Sequence, residues 1–291
     1  EQFKFTAEPG VMQLADRWIQ LRLNHLIEKT QRYYQEYRFD LLAQSLYEFF
    51  WNDYCDWYLE LAKISLNDPL LSEQEKYATR YYLLHILEQA LRLLHPLMPF
   101  ITEEIWQRIA PLLDRGAETI QTQAYPKTHF LTNAEETTAK ISWLQDLILA
   151  IRNLRSERQL APSQKIALVY LSTSEQNQEN FKVLDSLIRA LGKINEIKEV
   201  KAAPALAVTT VVNEVQIFIP LADLLDKEAE IARLNREIPK LERELEKSRQ
   251  KLANADYVQK APAAVVEKEQ QRVKENEAVL IKLQAQLAKF S

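Results

Sequence analysis

Apolar residues recur at helical spacing from Val11 to about Gln35, at Leu14, Trp18, Leu21 and Ile27, and predict a first amphipathic helix. A second is predicted from Asp40 to Leu66 through Leu42, Leu46, Phe49 and Phe50, with a dense aromatic run at Trp51, Tyr54, Trp57 and Tyr58. Asn67-Asp68-Pro69 ends it, because a proline ring disfavours helical backbone at the preceding residue. Ser72 with Glu75 three residues on forms a capping box, which opens a helix running to about Leu94. Pro96 and Pro99 break that helix, and Thr102-Glu103-Glu104 begins a short one through Trp106 to Ile109. Residues 110–134, with Pro111, Gly116 and Pro126, read as a connection. Helical spacing returns from about Ala134 to Leu160, through Ile141, Leu144, Ile148, Ile151 and Leu154, and Pro162 stops it. Between 163 and 220 the period changes. Lys165–Leu171 and Val215–Ile219 read as short strands, with a helix near Asn180–Leu191 between them.

The last stretch, Leu221 to Ser291, carries a 3,4 repeat at Ile231, Leu234, Ile238, Leu241, Leu245, Ser248 and Leu252. After Asn254–Pro262 the repeat resumes at Val266, Glu269, Val273, Asn276, Leu280, Leu283, Leu287 and Phe290. One fold point near residue 259 pairs Ile231 with Leu287, Leu234 with Leu283, Ile238 with Leu280, Leu241 with Asn276, and Leu245 with Val273. That is the pattern of an antiparallel hairpin whose arms reach roughly 40 Å at about 1.5 Å per residue. Pro239 removes one backbone hydrogen bond from the first arm, so a kink there or a helix starting there are both consistent with the pattern. The fold class is therefore mainly α: a helical bundle over 1–162, a small mixed α/β connecting module over 163–220, and a coiled-coil hairpin over 221–291.

Composition changes this picture mostly by exclusion. A length of 291 residues with 47% hydrophobic side chains allows two or more domains with real cores. Only Gly10, Gly116 and Gly192 are glycines, so no phosphate-cradling Gly-rich loop can be built. His25, His85, His95 and His129 are scattered, and the single Cys55 excludes an internal disulfide or a thiolate zinc site. Cys55 lies among aromatic residues and reads as a small core residue; its lack of a partner suits a reducing, cytoplasmic setting. Glu103 and Glu104 read as carboxylates favoured by a helix N-terminus rather than as a catalytic pair. No run of 18 apolar residues exists, so no membrane span is expected. The opening Glu1-Gln2-Phe3 has neither an initiator Met nor a signal-peptide pattern, which implies a piece of a longer polypeptide. With a net charge of −4, any nucleic-acid surface must be a local basic patch.

Two segments carry a resemblance. Trp51-Asn-Asp-Tyr-Cys-Asp-Trp-Tyr-Leu-Glu60 and His95-Pro-Leu-Met-Pro-Phe-Ile-Thr-Glu-Glu-Ile-Trp106 resemble the anticodon-binding helical domain of the class I aminoacyl-tRNA synthetases for valine, isoleucine and leucine. The hairpin, with Ser248-Arg-Gln-Lys-Leu-Ala253, Lys260-Ala-Pro262 and Val265-Val-Glu267, is similar to the C-terminal arm of valyl-tRNA synthetases. The cysteine-rich zinc module common in isoleucyl enzymes cannot be formed by one Cys. The resemblance implies recognition of tRNA(Val), with the helical domain on the anticodon stem-loop and the arm braced against the tRNA elbow. The two nucleotide-binding signatures of class I synthetases are absent, so the resemblance implies no catalytic centre and no cofactor in this chain. ATP and Mg would be used by the parent enzyme, a valine–tRNA ligase, whose catalytic domain would be the partner within one polypeptide. The expected chain is a monomer, free of the membrane.

Candidate contacts follow from how RNA is read, by stacking of unpaired bases on aromatics beside basic groups. Arg17, Trp18 and Arg22 are the anticodon candidates, Trp18 and Arg22 sharing a helical face; burial of Trp18 in the core is the competing reading. Lys247, Arg249, Lys251, Lys260 and Arg272 lie toward the hairpin tip and are candidates for phosphate and sugar contacts. Arg152, Arg155 and Arg158 step along one predicted helix as a basic stripe, for which a solvated face is the plainer account. A different class of function, a protein–protein module using the coiled coil, is disfavoured because the heptad face is already consumed within the chain.

Overall fold

The computed structural model describes residues 4–5, 7–115, 118–158, 160–161, 163–204, 207–220 and 227–253, together with 271–284 except 274, 278 and 282; the side chains of 227–234 and 253 are outside that description. By its internal contacts the chain divides into Glu1–Ile219 and Pro220–Ser291.

The first unit opens with α1 (Leu14–Gln35) and continues through α2 (Phe39–Glu48), a π-helix (Phe49–Tyr58) and α3 (Leu59–Asn67). The predicted second helix is thus present as one run of helical backbone, but its aromatic middle is wound wider. The N–H of Leu59 reaches the carbonyl of Tyr54, five residues back, which is the π-helical bond. That winding directs Phe49, Tyr54 and Tyr58 into the core while Trp51, Asn52, Cys55 and Asp56 face solvent. Cys55 is therefore exposed, not the core residue expected of it. Of the aromatic residues around it, Tyr54 and Tyr58 are the ones turned inward, while Trp51 shares its outward side.

Ser72 caps α4 (Glu73–Leu94) through the predicted reciprocal bonds with Glu75. α5 (Pro99–Ile109) starts earlier than expected because Pro99 stands in its first turn, where the missing N–H costs nothing. Two short 3-10 turns follow, and residues 123–132 run back along α1. Tyr125 Oη donates to Thr30 Oγ1 at 2.8 Å, Asn24 Nδ2 donates to the carbonyl of His129 at 2.6 Å, and Arg17 Nη2 donates to the carbonyl of Thr132 at 2.5 Å.

Two buried carboxylates organise this bundle. Asp16, fully buried in the first turn of α1, accepts from Tyr58 Oη at 2.7 Å, the N–H of Gln13 at 3.1 Å and Thr79 Oγ1 at 3.4 Å. It ties α1, the π-helix and α4 together. Glu88 of α4 accepts from Trp106 Nε1 and from Arg92 Nη2, each at 2.9 Å, and from Arg115. The resembling segment ending in Trp106 is thus a structural clasp. Its Glu103 accepts from Thr119 Oγ1 at 2.7 Å and from the N–H of Ile120 at 3.2 Å, pinning the connection rather than complementing a dipole alone.

α6 (Ala134–Glu157) leads into the α/β part: β1 (Ile166–Leu171), α7 (Glu175–Val183), α8 (Asp185–Gly192), β2 (Ile194–Glu199), β3 (Ala207–Val212) and β4 (Val215–Pro220). The sheet order is β2-β1-β4-β3, with β1 parallel to β2 and antiparallel to β4, so α7 and α8 form the crossover of a βαβ unit. Asn213 and Glu214, both at positive φ, make the two-residue turn between β3 and β4. Two of these strands were missing from the expectation: β2 exposes most of its residues and β3 carries no buried one. Trp143 of α6 fastens this part to the bundle, donating from Nε1 to Asn177 at 2.9 Å and packing edge-on to Phe181 at 5.0 Å.

The second unit contains α9 (Lys227–Ala253), which passes through Pro239 without ending. Among its described side chains Ile238, Leu245 and Ser248 are buried and Leu241 and Leu252 partly so, all at predicted heptad positions; Val273, Asn276, Leu280 and Leu283 are likewise half-buried. Arg249 Nη2 meets Glu277 Oε1 at 2.7 Å, Gln284 Nε2 donates to Glu242 at 3.3 Å, and Arg272 lies 3.9 Å from Glu244.

Burial raises the Asp16 carboxyl to about 6, against the opposing hydrogen bonds from Tyr58, Gln13 and Thr79. Because the folded value lies above the unfolded one, its contribution is full below pH 4 and is lost as pH rises towards 6. A shift of about two units corresponds to roughly 3 kcal/mol. Comparing wild type with Asp16→Asn, the difference in unfolding free energy should change by up to that amount between pH 4 and 6.5 and stay flat above pH 7, as urea denaturation at each pH would read.

Candidate nucleic-acid interface

The outer side of α1 carries a run of basic residues. Arg22, His25, Lys29 and Arg32 follow each other at spacings of three and four, one helical face. Partial burial first, then the charges of Lys29 and Arg22, hold the His25 ring below its ordinary range. The face is not purely cationic. Glu48 and Asp53 border it, and Arg22 Nε is paired with Asp53 at 2.8 Å. At its end the Arg32 guanidinium lies 5.0 Å from the centre of the Tyr33 ring, next to the exposed Tyr37 and Phe39.

The expected grouping of Arg17, Trp18 and Arg22 is not what the structure assembles. Trp18 is 2% exposed and offers no ring face to a base. It shares the inward face of α1 with Ala15, Ile19 and Leu26, and an aromatic beside an arginine in sequence cannot distinguish that from exposure. Arg17 is turned toward the returning segment, where it holds Thr132. That segment supplies the aromatic that sequence reasoning missed: Phe130 is 91% exposed, one residue from His129, which is clamped on both sides of its peptide by Asn24. A connection without periodicity gave no sign of it. A second exposed aromatic pair, Tyr47 on α2 and Trp51 on the π-helix, is stacked with nearly parallel planes and ring centres 6.2 Å apart.

The basic stripe on α6 also separates. Arg152 and Arg158 are exposed, but Arg155 is 8% exposed and donates to the carbonyls of Gly192 at 3.3 Å, Ala161 at 2.9 Å and Gln164. Those carbonyls end α8 and line the turn before β1, so Arg155 is a fastener between α6 and the α/β part. Of the arm candidates, Lys247, Arg249, Lys251 and Arg272 are exposed, with Arg249 and Arg272 facing carboxylates as given above; Lys260 lies outside the described residues. Among the described residues no cluster of three or more His, Cys, Asp or Glu could hold a metal ion, and no helix is long and apolar enough to cross a membrane.

Residues 16–171 match the family model of the anticodon-binding domain of tRNA ligase, and the chain belongs to that family. Residues 226–291 match the model described as the valyl tRNA synthetase tRNA binding arm. The chain is 42% identical over 276 residues to the valine–tRNA ligase of Coxiella burnetii, covering 94% of this chain and 30% of that protein. It is 39% identical over 286 residues to the valine–tRNA ligase of Psychrobacter arcticus, covering 97% and 29%, and 37% identical over 287 residues to that of Acinetobacter baylyi, covering 98% and 30%. The chain thus spans about three tenths of the length of these relatives, and the matches agree with the valyl-tRNA synthetase C-terminal region that the sequence resembles.

Burial predicts two contrasts in stability. Trp18→Ala should cost about 3–5 kcal/mol, as large-to-small changes in a packed core do. Arg155→Ala leaves three carbonyls without their charged donor and should cost roughly 2–4 kcal/mol, while Arg158→Ala stays within about 0.5 kcal/mol. Chemical denaturation of the three variants checks both; an Arg155→Ala protein as stable as wild type would remove its fastening role.

Proposed function

We propose that this chain is the tRNA-recognising part of a valine–tRNA ligase, taking tRNA(Val) as its partner and working for a catalytic domain in the same polypeptide. The observation that carries the reading is the pair of family matches, one for anticodon binding and one for a tRNA-binding arm, in a single chain. The relatives' shared name supplies valine as the amino acid. The reading divides the chain into a helical domain over 1–162, a connecting module over 163–220 and an arm over 221–291, monomeric and cytoplasmic. ATP and Mg belong to the ligase as a whole, and this chain binds neither.

On the helical domain the anticodon loop lies over the α1 face. Arg17 and Arg22 carry backbone contacts, and Phe130 takes the stacking role first considered for Trp18. Phe130 is supported by its near-complete exposure beside the Arg17–Thr132 bond. The arm is an antiparallel coiled-coil hairpin braced against the tRNA elbow. The burial of predicted heptad positions on both runs supports it, as does the order of the contacts Glu242–Gln284 and Arg249–Glu277, in which one number rises as the other falls. Lys247, Arg249, Lys251, Lys260 and Arg272 would touch phosphate and sugar there, giving affinity without choice of sequence.

Binding of tRNA(Val) and tRNA(Ile) transcripts to the full chain at two salt concentrations tests the whole reading: tRNA(Val) should bind more tightly, and both should weaken as salt rises. Phe130→Ala should cost about 1–3 kcal/mol of tRNA(Val) affinity with unchanged melting temperature. Combined Lys247→Ala, Arg249→Ala and Arg272→Ala should lower the salt slope by up to about one unit per lost phosphate contact and weaken both tRNAs alike. Equal binding of the two tRNAs by the wild-type chain would refute the valine assignment, and no binding at low salt would refute the reading altogether.

A further inference from the structure

Between the end of α6, the turn before β1 and the α8–β2 junction lies a cavity of about 620 Å³, within the range of small-ligand sites. Arg152, Arg155, Ser156 and Lys193 face it together with the apolar Leu160 and Leu191, and none of its described lining residues is acidic. Two exposed basic residues and a serine thus line it beside the carbonyl-bound Arg155, without a lining carboxylate, in a chain whose net charge is −4. We infer that this cavity takes a phosphate group.

Two of the cations have partners for their side chains. Arg155 is fixed by its bonds to the carbonyls of Gly192, Ala161 and Gln164, which set the walls. The Arg152 guanidinium lies over the Trp57 ring, 5.5 Å from its centre, and a guanidinium resting on an aromatic ring can still donate through its N–H groups to an anion. Lys193 stands at φ 54 as the left-handed residue closing α8, its N–H donated to the carbonyl of Arg189, which anchors its backbone at the mouth of the cavity. Among the described residues neither Arg152 nor Lys193 has an ion pair. An adjoining hollow of about 490 Å³ shares Leu191 and Lys193 but is bordered by Glu60 and Asp68, with Lys63 already paired to Glu60 at 2.6 Å. The anion therefore belongs on the Arg152 side. Two sources present this chemistry, a backbone phosphate of bound RNA and a free phosphate. The first rests on the function proposed above, whereas the second stands without it.

The decisive variant is Arg152→Gln with Lys193→Asn, because asparagine tolerates the left-handed backbone and both changes remove charge while keeping polar side chains. Its thermal unfolding should match that of wild type; if it does not, Lys193→Asn alone is used, with the same losses expected at about half size. Inorganic phosphate titrated into wild-type protein, read by amide NMR, should shift Leu160, Leu191 and Lys193 if the source is free phosphate, and the variant should show no such shift. A tRNA(Val) transcript titrated at several salt concentrations should lose about 0.9 unit of salt slope in the variant if the source is RNA backbone, with binding weakened roughly three- to tenfold at moderate salt. Either result supports the site and identifies its source. Wild-type and variant proteins that bind tRNA identically and show no phosphate-dependent shift overturn it while leaving the proposed function standing. A chain that binds no tRNA defeats that function, and the phosphate titration alone then decides for or against the cavity.

Discussion

The bundle depends on a carboxylate that it buries. Removing Asp16 from water is costly, and the cost is tolerable only because three donors from three elements meet it: the Tyr58 hydroxyl at the end of the π-helix, the Thr79 hydroxyl on α4 and the N–H of Gln13 ahead of α1. Each donor restricts its own element. Tyr58 reaches Asp16 only if the π-helix delivers it to the inner face, and Gln13 only if α1 begins where it does. One side chain thereby fixes a helix start, a helix winding and the depth at which α4 packs. Apolar contacts around Ile19, Leu23 and Ile86 supply the larger share of the driving force, but they would tolerate small slides that the hydrogen bonds do not.

The same device recurs at larger scale. Glu88 gathers Trp106, Arg92 and Arg115, and so draws α5 and the connection after it onto α4. Arg155 does the converse with a buried cation and three carbonyls, drawing the α/β part onto α6. Segments with little apolar surface are thus held by directional bonds to charged groups, which are roughly twice as strong as neutral ones. Residues 123–132 lie along α1 by directional bonds as well, one from the charged Arg17 and the others between the neutral groups of Asn24, Thr30, Tyr125 and His129. That is how an exposed ring such as Phe130 can be presented from a segment without secondary structure.

Periodicity made α1, α4 and α6 legible because each buries a continuous stripe over more than twenty residues. The box formed by Ser72 and Glu75 was readable for a different reason: its chemistry is local. What stayed hidden was what depends on a distant partner. Arg152, Arg155 and Arg158 share a spacing, and the carbonyls of Ala161, Gln164 and Gly192, all beyond the helix, distinguish the middle one. Trp18 took the buried alternative that its sequence left open, and Cys55 is exposed where a core place was expected, since an aromatic-rich stretch does not state which side of a helix faces inward, least of all where the winding is not α. β2 escaped because a strand with one buried residue in six has no alternation to detect. The heptads of α9 extend to a helix that passes through Pro239, a residue from which sequence alone permits either a kink or a start.

The π-helix from Phe49 to Tyr58 has a consequence for how this protein can change length. A wide turn holds more residues than an α-turn for the same advance, so it stores surplus chain inside an otherwise regular rod. Removing one residue from it tightens the winding towards α while α2 and α3 go on presenting Leu46 and Leu61 to the core. The same removal from the middle of α4 would turn everything beyond it by about 100° and expose half its buried face. Insertions and deletions accepted over evolutionary time should therefore gather in this aromatic stretch, at the expense of which of Trp51, Asn52, Cys55 and Asp56 looks outward, and be scarce in the helices on either side.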